Sequence, residues 1–232
     1  EQRHQNAGLI SKYIKRSDKK DNVIILGASL SENFVPSDIK KQLLLDGKVL
    51  KLTLSGGQPQ ELMTVLEEAL KHGKVKTVYW SITRNYKIKN IKKFDKNHDF
   101  PHKLYSDDFL VKGYYYLFNS DYVKHSISIL SGNANKGKWR DNLDKLNYWM
   151  SGALKSNQFT NYSNAANVQK LNRAINKSNW KISKNILEKR YDFKHLDRYI
   201  IEVIKKHPEV NFKIWFPPYS TYYYKVTDKT QI

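Results

Sequence analysis

At 232 residues, with 40% hydrophobic and 13% aromatic side chains, the chain can bury a full core and is too apolar to be disordered by composition. It contains no cysteine, which excludes a disulfide framework, a thiolate nucleophile and a cysteine-ligated metal. Lysine and arginine number 41 against 22 aspartates and glutamates, and the resulting formal charge of +19 favours anionic partners.

The basic residues are spread along the whole chain in short clusters such as Lys40-Lys41 and Lys92-Lys93. That pattern suits solvated faces and contains no nucleic-acid module, so nucleic acid is not an expected partner. No apolar run approaches the roughly 20 residues that span a bilayer. The chain opens at Glu1 without Met, and the expectation is a chain whose upstream segment has been removed.

Residues 5–15 read as a short amphipathic helix or extended lead-in, followed by a polar cluster over 17–22. Val23-Ile24-Ile25-Leu26 is a continuous apolar run ending at Gly27, the pattern of a strand buried on both faces. Ser37-Asp38 is placed to cap a short helix running to Leu45. Residues 49–54 form a second strand, broken by Ser55-Gly56-Gly57. The next segment, 59–72, predicts a helix: Pro59 suits its first turn, and Leu62, Val65, Leu66, Ala69 and Leu70 recur at helical spacing. Gly73 follows its end, and 75–82 is a third strand.

Strand and helix alternating with short connections predict an α/β domain: a three-layer sandwich with a parallel sheet. Ligands of such sheets sit beyond the carboxyl ends of the strands. The stations there are 27–31, 55–58 and 83–86. Residues 87–185 are less regular and read as a mostly helical insertion, with an aromatic stretch over 114–118 and a Gly/Asn/Lys loop over 131–138. An amphipathic helix over 196–206, closed by Pro208, and a fourth strand over 211–216 then return to the α/β domain. The expected division is therefore 1–86, 87–185 and 186–232.

Gly27-Ala28-Ser29-Leu30-Ser31 directly follows a buried strand. A hydroxyl nucleophile needs a sharp turn there, with backbone N–H groups behind it. The same pattern also serves as a plain strand-end turn in an α/β or nucleotide-binding domain. The glycine-rich and Walker-lysine motifs that would support nucleotide binding are absent from the sequence.

The stretch Ile24-Ile25-Leu26-Gly27-Ala28-Ser29-Leu30-Ser31-Glu32-Asn33-Phe34 resembles the first block of SGNH/GDSL hydrolases. It is closer to a group of membrane-tethered, extracytoplasmic bacterial proteins. Arg-His-Gln-Asn-Ala-Gly-Leu-Ile over 3–10, Leu54-Ser55-Gly56-Gly57 and Phe216-Pro217-Pro218-Tyr219-Ser220 match that group in the same order. The resemblance implies an SGNH-hydrolase (flavodoxin-like) fold with Ser29 as nucleophile. The amides of Ser29 and of Gly57 or Gly56 would be oxyanion donors. The third donor of the family is an Asn after strand three; here Thr83 fits by spacing and Asn85 is the nearest amide. Asn33 and Gly56 are candidates for holding substrate, as are Tyr219 and Ser220 at the end of the fourth strand.

The family's Asp-x-x-His base has no counterpart after Tyr219, so it is expected beyond Ile232 or has been lost. Without a base, a serine hydroxyl is a poor nucleophile at neutral pH. His98, His102, His125, His195 and His207 read as surface or packing histidines, and no metal or cofactor is expected.

The resulting expectation is a cell-envelope serine esterase or acyltransferase, acting on O-acyl groups of a surface polysaccharide or wall polymer. It would be extracytoplasmic and tethered through a removed N-terminal segment, as the lack of cysteine in a Gram-positive setting also suits. The alternative is a non-catalytic binding or assembly protein for an anionic wall or capsular polymer or for a membrane-bound acyltransferase. That role is suggested by a distant likeness to D-alanyl-lipoteichoic acid biosynthesis proteins.

Overall fold

The computed structural model describes residues 2–82, 100–108, 110–111, 113–114, 120–131, 144, 169, 173 and 200–217. The chain divides into two compact units, Glu1–Tyr148 with Leu196–Phe216, and Trp149–His195 with Pro217–Ile232. In the second unit residues 169 and 173 are helical. Everything that follows belongs to the first.

Among the described residues four strands, β1 (Asn22–Gly27), β2 (Val49–Thr53), β3 (Val75–Ser81) and β4 (Asn211–Trp215), form one sheet in the order β2-β1-β3-β4. All three pairings are parallel. The fold is α/β, as the alternation of apolar runs predicts. The connection from β1 leads outward to β2 on one side, and β3 returns to the other side of β1. The strand order therefore reverses at the β1/β3 boundary.

Side-chain alternation along the strands makes two unequal layers. On one face Ile24, Leu26, Leu50, Leu52, Val78 and Trp80 meet Leu62, Val65, Leu66 and Ala69 of helix α3 (Pro59–Leu70), together with Leu9, Ile10 and Ile14. The last three come from the lead-in, which is helix α1 (Gln2–Leu9) running into a wider π turn, Ile10–Ile14. Ile200 and Val203, at the start of the short helix α5 (Glu202–Lys206), join the same cluster. On the other face Val23, Ile25 and Val49 pack against Phe34, Leu45 and Ile39. Ile39 belongs to helix α2 (Pro36–Gln42).

Helix α2 departs from its expected cap. Pro36 occupies the first turn, where its fixed φ is already helical, and Val35 before it is extended. The Ser37 amide instead donates to Asp144 Oδ1 at 2.8 Å. The helix stops at Gln42, short of Leu45, because Leu44 turns into the left-handed region with φ +51. Helix α3 begins as expected at Pro59, and the Gln58 amide is satisfied by Glu61 Oε2 at 2.9 Å.

The expected insertion over 87–185 lies mostly outside the described residues. Within it stand a 3-10 turn, His102–Tyr105, and helix α4 (Ser120–Leu130). Among the described residues no helix is long and apolar enough to cross a membrane.

The amino ends of the strands are tied by one side chain. Asn22, fully buried, donates from Nδ2 to the carbonyls of Lys19 and Lys74, both at 2.8 Å. Its Oδ1 accepts from the Lys48 amide at 3.0 Å and from Ser17 Oγ at 3.3 Å. A buried amide is tolerated only when its hydrogen bonds are made, and here all four are.

Candidate functional site

The carboxyl end of β1 is where the loops carrying Ser29, Asn33, Gly56 and Gly57 meet. Ala28 is extended and buried, and Ser29 opens a 3-10 turn, Ser29–Asn33, directly beyond the strand. Ser29 and Asn33 are half-buried, whereas Ser31 and Glu32 point inward and are buried. Gly27 has φ +156, and a Cβ on it would lie 2.3 Å from Ser31 Oγ and 2.8 Å from Ser81 Cβ. The strand can thus hand over to the turn only with hydrogen at this position.

The loop after β2 is fastened to the same point. The Leu54 amide donates to the Gly27 carbonyl at 3.0 Å, one step beyond the last registered pair, Gly27 with Thr53. Leu54-Ser55-Gly56-Gly57 then closes a β-turn, with the Gly57 amide donating to the Leu54 carbonyl at 2.8 Å. Gly56 sits at φ +63, the left-handed third position that this kind of turn requires. Gly57 is buried, with no room for a Cβ against Leu54, while Ser55 and Gly56 are exposed. The Gly57 amide is therefore already used by the turn, and Gly56 donates no backbone bond among the described residues.

Asn6 of α1 brings the amino-terminal segment to this edge by donating to the Thr53 carbonyl at 3.0 Å. On the other side of β1, the Ile82 amide donates to the Trp215 carbonyl at 2.9 Å, so the ends of β3 and β4 leave the sheet together. Trp215 meets Phe34 edge to face, with ring centroids 5.4 Å apart. This aromatic pair adjoins the far end of the Ser29 turn.

Beneath the turn lies a residue that the reading of the sequence did not single out. Lys51, in the middle of β2, is 1% exposed. Its Nζ donates to the Glu32 carbonyl at 2.7 Å and to the Phe34 carbonyl at 3.0 Å. Burial pushes its ammonium down to about 8, against the carboxylates of Glu32 and Asp144, which hold it up. The signal that could have found it is a lysine interrupting the apolar run Val49-Leu50-Lys51-Leu52.

Thr83, Asn85, Tyr219 and Ser220 lie outside the described residues, as do His98, His195 and the side chain of His125. His102 stacks edge to face on Phe100, with centroids 4.8 Å apart. Burial lowers its basicity, and the Glu61 carboxylate partly opposes this. His207, beyond the end of α5, places Nδ1 3.1 Å from Glu209 Oε1 at the amino end of β4, the opposite end of the sheet from Ser29. Among the described residues no group of three or more His, Asp or Glu is arranged to hold a metal ion.

In comparisons with known proteins, the chain matches no family model, no curated protein and no solved structure at a significant level.

Proposed function

We propose that this protein is an SGNH-type serine esterase or acyltransferase of the cell envelope, acting on O-acyl groups of a surface polysaccharide or wall polymer. The observation that carries the reading is the position of Ser29. It is the first residue of the turn beyond the interior strand β1, at the boundary where the strand order reverses, and that turn is pinned to the glycine turn after β2. The order β2-β1-β3-β4 is also that of the first four strands of flavodoxin-like sheets.

In this reading Ser29 Oγ attacks the acyl carbonyl carbon, and its proton passes to a base. In the family this base is the His of an Asp-x-x-His motif. The oxyanion is held by the Ser29 amide and by Gly56, or by Gly57 if its turn bond is shared, with Thr83 or Asn85 as third donor. Collapse releases the alcohol, which takes the proton back. Water or an acceptor hydroxyl then removes the acyl group from Ser29. Asn33, Tyr219 and Ser220 would border the substrate. The +19 charge keeps the protein near anionic polymer at the membrane, outside the cytoplasm.

One observation favours a second reading, a non-catalytic assembly protein that holds an anionic polymer or a membrane-bound acyltransferase. The Gly57 amide, an expected oxyanion donor, is already taken by Leu54.

The deciding experiment is labelling of the full-length protein with a fluorescent fluorophosphonate, beside Ser29→Ala. Labelling of wild type alone supports the enzyme. Absence of labelling in both selects the assembly protein, and equal labelling of both removes Ser29 from the chemistry.

A further inference from the structure

A lysine in the middle of a parallel strand is an expensive choice. Taking an ammonium out of water costs several kcal/mol unless it is paired and hydrogen-bonded, and apolar residues of similar volume often serve stability as well. The neighbours of Lys51 follow the ordinary pattern: Leu50 and Leu52 enter the main core, and Val49 the smaller one. Lys51 shares the face of Val49, Ile25 and Thr53, yet its terminal nitrogen serves the turn above rather than the sheet.

The bonds it makes are specific. The five-residue 3-10 turn Ser29–Asn33 is bounded by Ser31 N–H to the Ala28 carbonyl and Phe34 N–H to the Ser31 carbonyl. The carbonyls at its far end, Glu32 and Phe34, point down and are both taken by Lys51 Nζ. Charge-assisted bonds of this kind are about twice as strong as neutral ones. They fix the exit of the turn, while the crowded Gly27 fixes its entry. Ser29 is held between these two anchors.

We propose that Lys51 is a positioning residue for Ser29, a clamp from the neighbouring strand that holds the Ser29–Asn33 turn in the conformation presenting the serine. The functional half of this proposal rests on the serine reading above; the clamp itself does not.

The test uses the same fluorophosphonate and the full chain. Lys51→Met keeps the length and removes the donors. It is expected to lower the labelling rate of Ser29 about tenfold or more while retaining cooperative unfolding. Because the chain has no cysteine, Lys51→Cys introduces a unique thiol. Aminoethylation of that thiol in denaturant, followed by refolding, rebuilds an ammonium at lysine length and should restore the rate to within about threefold. A merely space-filling role would already be met by Lys51→Met, which keeps the length, and its labelling rate would stay at the wild-type value. If Lys51→Met does not fold, the comparison is made in Lys51→Cys before and after aminoethylation.

Hydrogen exchange of the amides over 29–34 reads the clamp independently. They should exchange about tenfold faster or more in Lys51→Met than in wild type, with the amides of β1 unchanged. Wild-type labelling rates in Lys51→Met, or no recovery on aminoethylation, overturn the positioning role. Unchanged exchange overturns the clamp. If wild type itself is not labelled, the serine reading falls, and the exchange measurement alone decides the clamp.

Discussion

Leu54 donates its amide to the carbonyl of Gly27 at 3.0 Å, so the loops leaving β1 and β2 begin as one hydrogen-bonded unit. Gly27 also lies against Ser31 and Ser81, and three segments therefore converge on a position with no side chain. Gly27→Ala should destabilise the fold by about 2–4 kcal/mol, since the added methyl meets a Cβ and a hydroxyl at impossible distances and φ is poor for any L residue. Urea unfolding monitored by tryptophan fluorescence measures this. A change below about 0.5 kcal/mol, the range of an ordinary surface substitution, would contradict the crowding.

Asn22 supports a second prediction at the opposite end of the sheet. Asn22→Ala orphans the Lys48 amide and removes the Nδ2 bonds to the Lys19 and Lys74 carbonyls, which keep weaker bonds from Ser17 Oγ and from the backbone amide of residue 22. The expected loss is about 3 kcal/mol, from unsatisfied buried groups more than from lost volume. Asn22→Asp should not rescue it, because a carboxylate cannot donate to the two carbonyls. The urea midpoints of both variants decide the point.

Lys51 gives the stability a defined pH dependence. Its amine titrates at about 8 when folded, against the ordinary 10.5 when unfolded. Between those values the unfolded chain binds a proton that the folded chain does not, so raising the pH favours folding. This contribution is complete above about 10.5 and is lost as the pH falls through about 8. Many other lysines titrate in the same range, so Lys51→Met is the reference. Wild type should gain about 1–3 kcal/mol relative to it between pH 7 and 10.5, since each tenfold difference in proton affinity between the two states is worth about 1.4 kcal/mol. A constant difference would show that the amine titrates as it would in water.

Leu44 is 91% exposed and sits at φ +51, a conformation that costs a non-glycine residue about 1–2 kcal/mol. Leu44→Gly should therefore raise stability by about 0.5–1 kcal/mol, the relief exceeding the added freedom of the unfolded chain. Leu44→Ala, which keeps a Cβ, should change it little. Urea midpoints again provide the measurement, and equal effects of the two variants would rule out backbone strain.

The sheet was legible because each strand is a short stretch rich in β-branched, aromatic and other apolar residues that ends near Gly, Ser or Pro, and α3 because its apolar residues recur at helical spacing. The station of Ser29 was legible for the same reason: a glycine must end β1. What escaped the sequence were interactions whose partners are backbone carbonyls. Lys51 bonds Glu32 and Phe34, and Asn22 bonds Lys19 and Lys74, through groups that every residue type carries. The start of α2 differs from expectation because Ser37-Asp38 has cap chemistry, whereas Pro36 already supplies the first-turn geometry. Ser55-Gly56-Gly57 admits several turns, and the sequence could not say that the Gly57 amide would be spent closing this one.

The pairing of β3 with β4 has a consequence for the order in which the molecule assembles. Residues up to 82 contain three of the four described strands and helices of both layers, joined by short connections. β4 then comes from about 130 positions further along the chain to complete the edge beside β3. Closing so long a loop is entropically unfavourable until its contacts form, and such contacts are made late. During synthesis, Val75–Ser81 therefore remains an open edge of a partly built sheet until the return segment emerges and covers it. The nascent chain is most exposed to mispairing with other strands in that interval.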